Sequence, residues 1–242
     1  MKKLVKGIIE FRQNILPESR EKFARMALGQ KPDSLFIACS DSRVAPNVFA
    51  STDPGDLFVV RNVGNMIPCC GIAGHSTADE SEAAAIEFSI TTLNIKDIIV
   101  CGHSDCGAMH ALLAGRNTIK APNLRAWLRH GEPALSKLTP SENGLSPVNL
   151  LSQLNVLQQI EHLRSYPLVQ ERIAKGELNL HGWWFELSTA NVYAFNEAAD
   201  TFVLIDEAEA NRTLSAPIET WDPGGASKKK ENEPENEQTL SF

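Results

Sequence analysis

The stretch LFIACSDSRVAP, residues 35–46, sets an apolar run directly against reactive and charged side chains. Residues 35–38 have the composition of a strand that is buried on both faces, and Cys39, Asp41 and Arg43 follow it at intervals of two. Side chains two apart in an extended chain share a face, so we expect these three to lie together. Open α/β sheets bind their ligands at the carboxyl ends of their strands. The stretch therefore predicts both a buried strand and a functional site at its end.

The fold class follows from the pattern of apolar segments around this strand. LFVVRN (57–62) and DIIVCG (97–102) are further short strands, and ESEAAAIEFSITTLNI (80–95) between them has the composition and period of a helix. A strand, a helix and a strand in this order predict a right-handed crossover within a parallel sheet. ELNLHGWWFEL (177–187) and NVYAF (191–195) read as a strand pair joined by a short turn. We expect an α/β fold with a mostly parallel sheet flanked by helices and an edge strand pair near the C-terminus.

Three regions are predicted along the chain. Residues 1–32 form an N-terminal helical arm, because apolar residues recur at helical spacing while interspersed charges exclude the apolar core of a signal peptide. Residues 33–221 form the α/β domain. Residues 222–242 are predicted to be a disordered tail, because their polar, charge-mixed composition cannot support a core.

Composition limits the partners and the compartment. The net charge of −7 offers no basic surface for nucleic acid or anionic lipid, and no apolar run is as long as a transmembrane helix. The chain has five cysteines, an odd number that argues against a disulfide framework. We therefore expect a cytoplasmic protein with neither nucleic acid nor membrane as a partner.

A second motif, CGHSDCGAM (101–109), also follows a strand. His103 and Cys106 are three apart, which suits the first turn of a helix, and Cys39 would complete a Cys₂His set. Three such ligands with an open fourth position are typical of catalytic zinc, whereas structural zinc usually has four protein ligands. Taken singly, these residues could be a core cysteine or a helix cap, but their occurrence at two strand ends favours a metal site. The remaining cysteines are assigned structural positions: Cys69, Cys70 and Cys101.

These two motifs, with PGDLFVVRNVGNMIP (54–68) between them, resemble the β-class carbonic anhydrases, and within that class the plant-type subgroup. The resemblance implies a lyase that reversibly hydrates carbon dioxide to bicarbonate and a proton by attack of zinc-bound hydroxide. It implies one Zn²⁺ ion per subunit, held by Cys39, His103 and Cys106. It also implies a homodimer or homotetramer with the active site at the subunit interface.

The resemblance further assigns individual roles. Asp41 and Arg43 form the catalytic pair beside the metal, and we expect Arg43 to keep Asp41 ionised so that Asp41 orients the nucleophile. Asp41 is also expected as a conditional fourth metal ligand if that pairing is lost. The residues implied for substrate binding are Gln30, Phe58, Val63, Phe88 and Gly107. Three of these, Gln30, Phe58 and Phe88, are expected to lie at the neighbouring subunit's zinc site. The subtype with an additional closed state uses a tryptophan near residue 30, but the first tryptophan here is Trp127, so we expect the open type.

Several alternatives stay open on sequence alone. The same site could hydrolyse a substrate similar to carbon dioxide, such as carbonyl sulfide or carbon disulfide. A non-catalytic zinc-containing scaffold would instead need a fourth protein ligand. A cysteine-nucleophile enzyme with Cys39 and Arg43 fits poorly, because only three residues separate the two. The segment from Cys69 to Ala83 differs from the family pattern, and the sequence assigns it no role.

Overall fold

The computed structural model describes residues 1–71, 74–78, 80–139 and 144–214, with side chains as far as Asn211. The chain divides into two units, Met1–Ile205 and Asp206–Phe242. The first unit holds the sheet and all the predicted site residues. The second contains one described helix, and the predicted disordered tail, residues 222–242, lies outside the described residues.

A six-stranded sheet forms the centre of the first unit, in the spatial order β2-β1-β3-β4-β5-β6. The strands are β1 (Ser34–Cys39), β2 (Leu57–Asn62), β3 (Asp97–His103), β4 (Asn179–Glu186), β5 (Asn191–Asn196) and β6 (Thr201–Leu204). Strands β1 to β4 are parallel to one another, and β5 and β6 are antiparallel to their neighbours. The prediction of a mostly parallel sheet ending in an antiparallel strand pair is confirmed. Strand β6, which the sequence analysis did not identify, extends that pair to the edge.

Ten α-helices are described: α1 (Lys2–Glu10), α2 (Leu16–Met26), α3 (Pro46–Phe49), α4 (Glu80–Thr91), α5 (Gly107–Leu113), α6 (Pro122–Trp127), α7 (Glu132–Leu135), α8 (Pro147–Arg164), α9 (Pro167–Ala174) and α10 (Glu207–Leu214). Proline at the start of α8 and α9 suits the first helical turn, where no backbone N–H partner is needed. The Ser146 hydroxyl caps α8 by accepting a hydrogen bond from the Asn149 N–H at 3.4 Å. No helix within the described ranges is both long and apolar enough to cross a membrane.

The N-terminal segment is helical, as its periodicity predicts. A π-helical turn, Phe11–Ile15, joins α1 to α2, and the rings of Phe11 and Phe23 meet edge to face at 5.9 Å. The apolar side of α1 is open to solvent, with Leu4 67% and Ile8 61% exposed. Within the described ranges, no other element covers this apolar helix face.

The two faces of the sheet are buried differently. One face, which we call the helical face, packs against α4, α8 and α9 through the side chains of Leu35, Ile37, Ile98 and Val100. The other, which we call the aromatic face, carries a smaller cluster that includes Phe36, Phe49, Trp183 and Phe185. Strand residues in β1 alternate between the faces, as the period of two requires.

Candidate metal centre

Three potential metal ligands meet at the carboxyl ends of two neighbouring strands. Cys39 is the last residue of β1, His103 is the last residue of β3, and Cys106 immediately precedes α5. Because β1 and β3 are adjacent and parallel, these ends lie at the same edge of the sheet. One ligand atom from each residue lies within 4.8 Å of the other two, and all three side chains are buried. His103 thus belongs to the strand and not to the predicted first helical turn.

The His103 ring is oriented for metal binding by its own backbone surroundings. Nδ1 lies 2.8 Å from the Ser104 carbonyl oxygen, to which it donates a hydrogen bond. The proton is thereby fixed on Nδ1, and Nε2 is left as a lone-pair donor. Nε2 is buried, and no protein group of the described part of the chain hydrogen-bonds it. A buried ring nitrogen without a partner beside two thiols fits a bound metal ion.

Each of the two thiols changes the pKa of the other. The hydrogen bond from Cys106 lowers the pKa of Cys39 to about 4, the neighbouring His103 ring contributes to the lowering, and burial opposes it. The thiolate of Cys39 and burial raise the pKa of Cys106. Without a cation, the pair therefore keeps one proton, and a divalent cation would allow both sulfurs to be thiolates. The donor set of two thiolates and one imidazole fits zinc.

Asp41 and Arg43 form a bidentate ion pair beside the three ligands. The Arg43 Nε–H donates to Asp41 Oδ1 at 2.9 Å, and Nη2–H donates to Oδ2 at 2.8 Å. The Arg43 guanidinium holds the pKa of the Asp41 carboxyl well below its usual range. Asp41 Oδ2 is 4.0 Å from His103 Nε2, which places an ionised acceptor at the metal site.

The expectation that an extended strand brings Cys39, Asp41 and Arg43 onto one face is wrong in its geometry. Strand β1 ends at Cys39, and the chain then turns. The Asp41 carboxylate accepts the backbone N–H of Arg43 at 3.0 Å, which closes a tight local turn. The two side chains meet because of this turn and not because of strand alternation.

Sequence reasoning missed two residues that support this pair. Asp105 accepts Arg43 Nη1–H at 3.2 Å through its carboxylate and Nη2–H at 3.1 Å through its carbonyl. Arg61 donates to the carbonyl oxygens of Cys39 and Asp41 at 3.1 and 2.6 Å. The position of Asp105 inside the HSDC motif was an available signal. The role of Arg61 depends on the register of β2 against β1, which the sequence alone did not supply.

Two of the predicted substrate-binding residues adjoin the metal ligands. Gly107 follows Cys106 and begins α5, and a side chain at this position would meet no atom within 4 Å. Val63 follows β2, and its side chain is 44% exposed while its carbonyl oxygen accepts the Trp127 Nε1–H at 2.8 Å. Both positions therefore border open space near the ligands.

The other three lie away from the ligands of their own chain. Phe58 pairs with Leu35 in the sheet, four residues before Cys39, which corresponds to about 13 Å along the strand. The rings of Phe58 and Phe88 lie 5.8 Å apart, and Phe88 is 40% exposed. Gln30 is exposed in the linker between α2 and β1, at the amino end of the sheet. Within one chain, these residues do not line the metal centre.

An α/β sheet with a buried Cys₂His cluster and an adjacent ionised carboxylate defines a class of metal-dependent enzymes with an open coordination position. Comparison with known proteins then identifies the family. The family model described as carbonic anhydrase matches residues 34–192. A carbonic anhydrase from Pseudomonas aeruginosa is 35% identical over 209 residues, which span 86% of this chain and 93% of that protein.

Solved structures agree with the sequence comparison. The β-carbonic anhydrase CcaA superposes with a TM-score of 0.78 at 37% identity, over 85% of this chain and 92% of that chain. A structure from a study of two tetrameric β-carbonic anhydrases of the filamentous ascomycete Sordaria macrospora has a TM-score of 0.70 at 27% identity. That match covers 81% of this chain and 96% of the other. The chain belongs to the carbonic anhydrase family, in its β class, and its reaction is the zinc-dependent reversible hydration of carbon dioxide.

Proposed function

We propose that Cys39, His103 and Cys106 hold the catalytic zinc ion and that Asp41, fixed by Arg43, orients the attack on carbon dioxide. The observation that supports this most directly is the buried cluster of three ligand atoms within 4.8 Å of one another. Bound zinc supplies acidified water, a nucleophile at near-neutral pH. The chain's own residues must then direct that nucleophile and receive the product.

Asp41 is the orienting group in this proposal. Its carboxylate stays ionised because of Arg43, and so it can only accept hydrogen bonds. An acceptor 4.0 Å from the ligand atom of His103 fixes the proton of the nucleophile and directs a lone pair at the substrate. Arg43 also keeps both carboxylate oxygens occupied, so Asp41 becomes a fourth metal ligand only when that pairing is lost. This is the open subtype, characteristic of the plant-type subgroup.

The substrate pocket is proposed to contain Val63 and Gly107 from one chain and Gln30, Phe58 and Phe88 from another. The N–H of Gly107 would donate to an oxygen of bicarbonate. The distance of Phe58 from its own Cys39, the exposure of Phe88 and the open apolar side of α1 all support a homo-oligomer. The Sordaria macrospora relatives are tetramers, which supports a dimer or tetramer here. Five cysteines without a disulfide support a reducing, cytoplasmic location.

The orienting role is tested by stopped-flow hydration of carbon dioxide with the variant Asp41→Asn. We expect one zinc ion per chain and a fall in kcat/KM of about 10²-fold, because the amide lacks the ionised acceptor. The control is Asp97→Asn, which changes an aspartate at the amino end of β3 that pairs with His181 at 2.8 Å. Full activity in Asp41→Asn with zinc bound would refute the orienting role.

A further inference from the structure

One peptide group beside the metal centre is held at both of its polar ends. The N–H of Gly64 donates to Cys39 Sγ at 3.4 Å. The carbonyl oxygen of Val63, which belongs to the same peptide group, accepts the Trp127 Nε1–H at 2.8 Å. The indole and the sulfur are therefore connected through a single planar amide.

Glycine is required at position 64 for this approach. Gly64 has φ +81°, in the left-handed region that favours glycine. A Cβ atom there would lie 2.9 Å from the Cβ of Ala108 and 3.1 Å from the Cε of Met66. The backbone can approach the Cys39 sulfur only because no side chain occupies this space.

The next peptide group is also fixed, from helix α8. The carbonyl oxygen of Gly64 accepts Asn155 Nδ2–H at 3.0 Å. The amide of Asn155 is itself oriented by Gln159, whose Nε2–H donates to Asn155 Oδ1 at 2.9 Å. Asn155 and Gln159 are both buried, so these bonds do not compete with water. Two successive peptide groups are thus held in place beside one metal ligand.

We propose that Trp127 is a positioning residue for the zinc centre, acting through the Val63–Gly64 peptide to limit how strongly the Cys39 thiolate donates electrons to the metal. The inference rests on the proposed function, since it takes Cys39 as a zinc ligand. Two thiolates place much negative charge on the metal and oppose the acidification of water. A hydrogen bond to sulfur withdraws part of that charge. The indole polarises the peptide by donating to its carbonyl, which strengthens its N–H as a donor to sulfur.

The test is the variant Trp127→Phe, which keeps an aromatic ring and removes the indole N–H. Cobalt(II) is substituted for zinc, and the thiolate-to-cobalt charge-transfer absorption is recorded. A thiolate that has lost part of its hydrogen bonding is a stronger donor, so we expect this band to move to longer wavelength. In the zinc enzyme, the pH midpoint of kcat/KM should rise by about 0.1 to 0.5 unit, because the hydrogen bond to sulfur is weakened and not removed.

Two matched controls separate this effect from a loss of packing. Trp183→Phe makes the same chemical change on the aromatic face, where Trp183 packs against Phe36 at 5.8 Å. Asn155→Leu removes the side chain that hydrogen-bonds the Gly64 carbonyl oxygen. Gln158→Met removes another buried amide from the same helix. We expect Trp127→Phe and Asn155→Leu to shift the cobalt band and the midpoint in the same direction. Trp183→Phe and Gln158→Met should leave both unchanged.

The outcomes distinguish failure of the inference from failure of the proposed function. A wild-type cobalt protein without a thiolate charge-transfer band would show that Cys39 and Cys106 are not the metal ligands, and the proposed site would fall with it. A wild-type band that stays at the same wavelength in Trp127→Phe would overturn the inference alone, whatever Asn155→Leu does. An equal shift in Trp183→Phe would also overturn it, because the effect would then be general.

Discussion

The two faces of the sheet bury different chemistry. Beside the helical face, polar side chains are buried on α8: Ser152, Asn155, Gln158, Gln159 and His162. The buried cluster of the aromatic face consists of apolar side chains and the Cys101 thiol, with Phe49 and Phe185 stacked at 4.6 Å. Burial of a polar group costs free energy unless the group has a hydrogen-bond partner. The polar side chains buried on α8 must therefore have a structural role.

That role is to hold the irregular chain segment that follows β2. Residues 63–70 have no strand partner in the sheet, yet their backbone groups are largely buried. Side chains near the carboxyl half of α8 satisfy them. The Ile67 N–H donates to Gln159 Oε1 at 2.8 Å, and the Pro68 carbonyl accepts the Tyr166 hydroxyl at 2.8 Å. Asn155, Gln159 and His162 of α8 therefore position the backbone segment that reaches Cys39.

The aromatic face is covered in part by the chain after β1, which adds the apolar side chains of Val44 and Phe49 to its cluster. Its side chains gain stability from apolar burial and from ring contacts such as Phe36 with Trp183 at 5.8 Å. Such contacts tolerate substitutions of similar volume. In this fold the buried amides of Asn155 and Gln159 shape the backbone beside Cys39, whereas the apolar cluster of the aromatic face contributes packing stability.

The largest expected effect separates two cysteines on neighbouring strands. Cys39→Ser should lose zinc and reduce hydration activity on the order of 10³-fold or more, because a proposed metal ligand is removed. Cys101→Ser should retain zinc and activity, because Cys101 is fully buried in the cluster of the aromatic face. Zinc content and stopped-flow hydration measure both variants. Retention of zinc by Cys39→Ser, or its loss from Cys101→Ser, would contradict the different roles assigned to these two cysteines.

A smaller effect is expected from the polar residues of α8. Gln159→Leu should lower the free energy of unfolding by about 2–4 kcal/mol, because buried backbone groups lose their partners. The lost partners are the Ile67 N–H at 2.8 Å and the His130 carbonyl at 3.1 Å. Ile99→Val in the cluster of the aromatic face should cost only about 1 kcal/mol. Urea denaturation measures both, and equal costs would contradict the distinction between the faces.

Sequence patterns were sufficient for five of the six strands and for the three residues that meet in the candidate metal centre. Buried parallel strands have continuous apolar runs, and Cys39 and His103 stand at the ends of two of them. Strand β6 was missed because TFVL, residues 201–204, is short and only half-buried in the structure. It depends on pairing with β5, a contact that local composition does not report.

The supporting residues of the site could not be predicted in the same way. Asn155 and Trp127 lie 91 and 64 positions from the backbone groups they bind, so no local pattern connects them. In the sequence, nothing around Asn155 or Trp127 distinguishes them from other residues of a helix. Asp105 could more easily have been identified, because it lies within the motif of residues 101–109. Its contact with Arg43, however, depends on the turn that follows β1.

The smallest expected effect concerns His130, whose carbonyl oxygen accepts a hydrogen bond from Gln159 of α8. His130 is only 6% exposed, and burial, followed by the charge of Arg129 and the proximity of His162, lowers its pKa to about 4. In the unfolded chain the ordinary value is about 6.5, so between these values the unfolded state binds the additional proton. Stability should therefore be fully present above pH 6.5 and decrease as the pH falls, by about 1–2 kcal/mol at pH 5.

The measurement is urea denaturation at pH 7 and pH 5 for the wild type, for His130→Gln and for His75→Gln. His75 is exposed to solvent and serves as the matched control. Subtracting variant from wild type removes the pH dependence that bound zinc adds equally to each protein. We expect His130→Gln to lose less stability on acidification than the wild type, and His75→Gln to behave as the wild type does. The loss should not vanish in His130→Gln, because burial also lowers the pKa of His162. Equal losses of stability in all three proteins would contradict the prediction, because they would show that His130 does not contribute to the pH dependence of unfolding.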